Sequence, residues 1–182
     1  MTSEKDIVSL QKDLDRLIQW ADKWQMMFNT SKCKAVHFGK KELNNADYYM
    51  SDQRRTTVTE EKDLGVVISS DMKSSQHCNQ AYSKASTMLA MINRSIVYKN
   101  SENLLRLCKS LVRPHLEYCT AAWSPHYIKD RVLLEKVQWR FTRMVPGLKK
   151  LPYEERLSEL ELWTLEERRV RADLIEAFKM VR

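Results

Sequence analysis

Apolar residues recur every three or four positions in two long parts of this chain, and between them lies a stretch where that interval disappears. Ile7, Leu10, Leu14, Leu17, Ala21 and Trp24 mark one face of a helix over residues 5–25, with charged side chains filling the other face. From Phe28 to Ser70 no helical interval survives. There "KCKAVHF" reads as a strand ending at Gly39, "ADYYMS" and "RTTV" as a hairpin pair, and "DLGVVIS" as a short β-branched strand. In the first of these, Cys33, Ala35 and His37 point to one side and Lys34, Val36 and Phe38 to the other, with Lys32 at the entry. On composition alone, that is an edge strand with solvated lysines.

The helical interval returns at Ser74. Ala81, Ala85, Met88, Ile92 and Ile96 form one stripe, and Leu104, Leu107, Cys108 and Leu111 the next, after a cap expected at Ser101. Pro114 lacks an N–H and disfavours helix at Arg113, so this helix should kink or stop there. "SPHY" at 124–127 opens a third helix with Leu134, Val137, Phe141 and Met144 on one side, and "PGLKKLP" at 146–152 breaks it. Pro152 suits the first turn of a short helix ending near Leu160. Thr164 and Glu167 have the spacing of a capping box for a last helix striped by Val170, Leu174, Phe178 and Val181. With 3 glycines and 4 prolines, the chain favours helices over loops. The expected fold is α+β and mainly α: a helix plus a small antiparallel sheet over residues 1–71, a helical bundle over 72–150, and a helical segment over 151–182.

No stretch approaches the ~20 apolar residues of a membrane span. "MTSEKDIVSL" has neither the basic nor the apolar region of a secretory signal, so the chain is expected inside the cell, in nucleus or cytoplasm, and not secreted. The 4 cysteines are then expected as free thiols, and the sequons at Asn29 and Asn93 carry no weight. The net charge of +7 is unevenly placed: residues 72–150 carry 14 basic and 4 acidic side chains, while the flanking parts are each slightly acidic. Such a block points to a polyanionic partner, nucleic acid first, with a solvated basic surface as the bland alternative.

Glycines stand only at 39, 65 and 147, so there is neither a phosphate-cradling loop nor a dinucleotide fingerprint. Cys108, His115, Cys119 and His126 have ligand-competent chemistry at spacings that match no common zinc motif; packed thiols and hydrogen-bonded imidazoles are the better reading. The third long helix is more informative. Lys136, Arg140 and Arg143 share a face with Trp139 beside it, and Lys129, Arg131, Lys149 and Lys150 extend the charge at both ends. Cations in a row match the regular spacing of phosphates, and an indole can stack on a base. The alternative is a solvated face with Trp139 packed on a neighbour, but between residues 127 and 150 the only acids are Asp130 and Glu135. In "LEERRVRADLIEAFK" acids and bases interleave at helical spacing, so intrahelical ion pairs are expected before any phosphate role for Arg168, Arg169 and Arg171.

Five ordered segments resemble one known family. "LQKDLDRLIQWADKWQMMFNTSKCKAVHFGK", "EKDLGVVIS", "LVRPHLEYCTAAWSPHY", "LLEKVQWRFTRMVPGLKKLPYEERL" and "LWTLEERRVRADLIEAFKMVR" are similar, in that order, to the back half of the reverse transcriptases of non-LTR, LINE-type retrotransposons, most closely the chicken-repeat and jockey-like groups. The resemblance covers nearly all of residues 6–182. It implies an RNA-directed DNA polymerase of fingers, palm and thumb, of which this chain supplies the end of the palm, the thumb and the helices that follow. "FNTSKC" resembles the motif whose lysine lies near the phosphates of the incoming nucleotide, which gives that role to Lys32. "DLGV" resembles the primer grip and maps onto Leu64, Gly65 and Val66. The helices from Ser74 to about Lys150 resemble the thumb that holds the RNA/DNA template–primer by its backbone.

The parent polymerase would use paired magnesium ions held by carboxylates that lie in the family before the first helix seen here. Asp6, Asp13, Asp15 and Asp22 are no substitute, so the chain is expected to be a fragment that does not polymerise alone, with no cofactor or metal of its own. Two other readings stay open: a residual nucleic-acid-binding module blind to sequence, and a retroelement relic with no selected role. A palm without its fingers would leave apolar surface uncovered and favour self-association.

Overall fold

The computed structural model describes residues 4–39 and 46–181; Lys40, the last residue of the first family-like segment, lies outside them. The chain divides into two compact units, Met1–Lys73 and Ser74–Arg182. Among the described residues no helix is long and apolar enough to cross a membrane. The architecture is mainly α with small two-stranded sheets, an α+β fold.

In the first unit, helix α1 (Glu4–Lys23) turns its apolar stripe inward only in part: Ala21 is buried, Ile7, Leu10 and Leu14 are half-buried, and Leu17 and Trp24 are exposed. Among the described residues six short strands follow: β1 (Lys34–Val36), β2 (Tyr49–Met50), β3 (Gln53–Arg54), β4 (Thr56–Val58), β5 (Glu60–Asp63) and β6 (Val66–Ser69). The side chain of Gln11 ties α1 to them by mimicking a strand partner. Its amide donates to the carbonyl of Tyr49 at 2.9 Å, and its carbonyl accepts the N–H of the same residue at 2.9 Å.

The pairing differs from the expected antiparallel sheet. β2 pairs with β3 in a tight hairpin, so "RTTV" is free to run parallel to β1, with Ala35 opposite Thr57. The third pair, β5 with β6, is antiparallel, and Glu61 faces Ile68 across it. β5 has the sequence EEKD and escapes detection because charged residues are depleted in strands; it forms here because β6 supplies the β-branched partner face.

In the second unit, α2 (Ser75–Ser95) packs most extensively on α6 (Ile128–Met144). Ala81, Ala85, Leu89 and Ile92 of α2 meet a core that includes Leu134, Val137 and Phe141 of α6. α3 (Ser101–Leu107) is capped one residue earlier than expected, by Asn100, whose side chain accepts the N–H of Glu102 at 2.9 Å. Ahead of Pro114 the helix does not stop. It widens into a π-helical turn, Cys108–Val112, in which the N–H of Arg113 donates to the carbonyl of Cys108. Pro114 then sits in the first turn of α4 (Arg113–Glu117), where a missing N–H does least harm.

Cys119, in the left-handed region at φ 53°, separates α4 from the short α5 (Thr120–Trp123). The buried indole of Trp123 donates to the carbonyl of Tyr118 at 2.7 Å and packs against His77, ring centroids 4.5 Å apart. α7 (Tyr153–Glu159) follows Pro152 as expected, and α8 (Leu165–Val181) starts on the expected capping box. There the N–H of Thr164 donates to the Glu167 carboxylate at 2.9 Å, and the N–H of Glu167 to the Thr164 hydroxyl at 3.2 Å. The stripe of α8 is the main departure from expectation. Leu174 and Phe178 are 66% and 63% exposed, because α8 docks on α5 and α6 through its first turns, where Leu165 and Arg169 are buried.

Candidate nucleic-acid interface

α6 is amphipathic in an informative way. At 3.6 residues per turn, Lys129, Lys136, Arg140 and Arg143 fall within about 60° of one another and run along roughly 21 Å of the helix. All four are exposed, while Leu134, Val137 and Phe141 are buried. The interval that buries one side of α6 therefore aligns its cations on the other.

Aromatic rings hold two of these cations in place. The Arg143 guanidinium lies 4.6 Å from the centroid of Trp139, and that of Arg140 lies 5.6 Å from the ring of Tyr82 on α2. Arg156 of α7, which sequence reasoning did not single out, approaches Trp139 at 5.4 Å and Tyr153 at 5.4 Å. Buried at 3% exposure, it donates to the Thr142 hydroxyl at 2.9 Å and to the carbonyl of Trp139 at 3.2 Å. Trp139 keeps 40% of its surface open. The two sequence readings of Trp139, stacking platform or packed neighbour, thus meet in one residue: it is braced by guanidiniums and still lines the surface. Val132, Glu135, Lys136, Trp139, Arg140 and Tyr153 enclose a groove of about 500 Å³ beside the ridge.

The two acids of this region are both occupied elsewhere. Buried Asp130 accepts the Ser75 hydroxyl at 2.6 Å at the start of α2. Glu135 accepts the Tyr153 hydroxyl and the N–H of Leu165 at 3.0 Å, so its negative charge sits at the N-terminus of α8. Burial first, and then the hydrogen bond to Glu135, push the Tyr153 phenol above its ordinary range.

Among the described residues, Lys129, Lys136, Arg140 and Arg143 form no ion pair, nor do Lys149 and Lys150 in the exposed turn after α6. Arg131 is different. It points away from the ridge, holds Glu166 at 2.6 Å and donates to the carbonyls of His126 and Pro125 at 3.0 and 3.3 Å. A line of un-neutralised cations of this kind attracts polyanions.

The remaining expected site residues lie elsewhere. Lys32 is exposed, at the end of a one-turn 3-10 helix, Thr30–Lys32. That turn is pinned by the buried Arg55, which donates to the carbonyl of Thr30 and, at 3.0 Å, to that of Gln53. Leu64 and Gly65 form the β5–β6 turn at φ 44° and 89°, with Leu64 84% exposed and Val66 buried behind it. Among the described residues, no three His, Cys, Asp or Glu side chains gather as a metal site. Cys108 is buried with its thiol pushed up to about 12 by desolvation, whereas Cys119 and His126 are exposed.

The intrahelical pairs expected in α8 are mostly replaced by pairs between helices. Lys179–Glu176, at 2.8 Å, is internal, but Arg168 binds Glu117 of α4 through two nitrogens and Glu166 binds Arg131 of α6.

No family model and no solved structure matches the chain. It is similar to the RNA-directed DNA polymerase from the mobile element jockey of Drosophila funebris, with 23% identity over 156 residues, 84% of this chain. The chain spans 17% of the length of that relative. It is thus a distant relative of an RNA-directed DNA polymerase of a mobile element.

Proposed function

We propose that the chain corresponds to the end of the palm, the thumb and the following helices of a LINE-type reverse transcriptase, and that it binds a nucleic-acid template–primer through the α6 ridge. The observation that carries the reading is the row Lys129, Lys136, Arg140 and Arg143, left without acidic partners because Asp130 and Glu135 are committed to α2, α7 and α8. Such a row meets backbone phosphates and does not read base edges, so the binding is blind to sequence. Lys32 and the turn Leu64, Gly65, Val66 take the nucleotide-side and primer-grip roles by likeness alone.

The residues present do not fit a two-magnesium centre. Asp13 and Asp15 are engaged with Arg16 and Gln11, Asp6 and Asp22 stand on other turns of α1, and all four carboxylates are exposed. No nucleotide-transfer step is assigned to them. The experiment has two arms: a gel shift on an RNA–DNA duplex at two salt concentrations, and primer extension on an RNA template with magnesium. The expected outcome is salt-weakened binding without incorporation. Binding indifferent to salt would overturn the first half of the reading, and incorporation by the purified chain the second.

A further inference from the structure

The arginines of α8 build a second feature, away from the ridge and independent of it. Glu117, Thr120, Arg168, Arg169, Arg171 and Ile175 line a pocket of about 260 Å³ between the α4–α5 segment and α8, room for roughly nine water volumes. Its carboxylate is already taken: Arg168 holds Glu117 through Nε and, at 2.9 Å, Nη2, and Arg113 Nε stands 3.8 Å from it. Burial, followed by the nearby charge of Arg168, depresses the basicity of Arg113, as expected where guanidiniums crowd one carboxylate.

Arg169 is the telling member. It is 5% exposed, and both of its Nη nitrogens are buried without a hydrogen-bond partner. Burial lowers its basicity, and Glu135 and Glu166 favour its charged form only from a distance, with no ion pair to it among the described residues. Arg171, over the ring of Trp163 at 5.2 Å, adds a further cation at the rim. Two guanidiniums, those of Arg168 and Arg113, thus meet the one carboxylate, while Arg169 and Arg171 line the pocket without pairing to it. A buried guanidinium with two idle forks is costly unless an oxyanion meets it, and paired planar forks match phosphate oxygens.

We infer that the pocket between α4–α5 and α8 binds a single phosphate group, held by Arg168, Arg169 and Arg171 with Thr120 on its wall. The group is either free, as inorganic phosphate or a nucleoside monophosphate, or part of a nucleic-acid backbone; the recognising chemistry is the same.

The test titrates the full chain with inorganic phosphate against chloride at matched ionic strength, following backbone amide and arginine Nε–H resonances. Phosphate is expected to move the signals of Thr120, Arg168 and Arg169, and to do so equally in a chain carrying Lys136→Ala, Arg140→Ala and Arg143→Ala. Arg171→Gln, at an exposed position that leaves the core intact, is expected to weaken binding roughly tenfold. Arg169→Met removes the buried forks and is expected to abolish it. If that variant fails to fold, Arg171→Gln carries the decision alone.

A duplex oligonucleotide that competes with phosphate for the same signals identifies the backbone as the source, and competition by a nucleoside monophosphate alone identifies a free phosphate. Equal shifts with chloride, an unweakened Arg171→Gln chain, or shifts confined to α6 would overturn the inference while leaving the ridge reading untouched.

Discussion

The ridge makes a quantitative prediction about salt. Among the described residues, Lys129, Lys136, Arg140, Arg143, Lys149 and Lys150 form no ion pair, so each is free to displace a counterion from a phosphate. At about −0.9 in log–log slope per neutralised phosphate of a DNA duplex, six contacts give a slope of about −5, and the four ridge residues alone about −3.6. Raising salt from 50 to 200 mM should then weaken binding by roughly 10² to 10³. Changing Lys136, Arg140 and Arg143 to alanine together should flatten the slope by about 2.7. Arg131→Ala removes the same unit of charge as any one of these, but Arg131 is tied to Glu166, and its loss should leave the slope nearly unchanged. Fluorescence anisotropy of a labelled duplex across that salt range measures the parent, the triple variant and the single variants Arg131→Ala and Arg140→Ala, with circular dichroism confirming that each is folded. If the triple variant keeps the parental slope, or Arg131→Ala flattens it as much as Arg140→Ala does, the effect belongs to net charge and the ridge argument fails.

Three further outcomes test the packing. Thr164→Ala removes one arm of the capping box and should cost about 1 kcal/mol in urea unfolding, with glycine at the same position milder. Leu134→Ala, at a fully buried α6 position, should cost about 2–5 kcal/mol, while Leu174→Ala on the exposed stripe of α8 should change stability by less than about 0.5 kcal/mol; similar values for the two would show that α8 docks by its stripe after all. Desolvation holds the buried thiols of Cys78 and Cys108 up to about 11 and about 12, from an ordinary value of 9.0. The folded chain therefore keeps protons that the unfolded chain has released, and stability should fall as pH rises above 9.0 toward those values. Thermal melts between pH 8 and 10.5 read that slope, which Cys108→Ala should reduce; a flat profile would count against burial of the thiols.

Helices were legible in the sequence wherever one face meets a core. Ala81, Ala85 and Ile92 of one stripe and Leu134, Val137 and Phe141 of the other are buried as the interval demands, while Met88 is only half-buried and Leu89 beside it is buried instead. The interval alone could not tell a buried stripe from an exposed one in α8, because which face docks is decided by partners far along the chain, Glu117 and Glu135 among them. The strands were less legible. β5 is a run of charged residues whose partner supplies the apolar face, and the parallel pairing of β1 with β4 follows from a hairpin turn only two residues long. At the site, the cations of α6 could be read directly from spacing. Arg156, Tyr82 and Tyr153 could not, since Tyr82 reaches the ridge from α2 and the other two from α7, and none stands in a motif.

The acids explain why the ridge stays basic. A surface with 14 basic and 4 acidic residues in its sequence could still be neutral locally if the few acids lay beside the cations. They do not. Asp130 is buried against Ser75, Glu135 caps α8 and receives Tyr153, and Glu117 is held by Arg168 and approached by Arg113. Glu102, the fourth, pairs with Arg106 one turn along α3. Each carboxylate is used where the fold needs an anion, at a helix start or between helices, and the cations that answer them are Arg106, Arg113 and Arg168, all off the ridge. The excess charge is therefore concentrated on α6 by the same hydrogen bonds that assemble the helical unit. Freeing Glu135 with Tyr153→Phe would leave its carboxylate one partner short in the groove beside Lys136 and Arg140, so that variant should weaken duplex binding without removing a single positive charge.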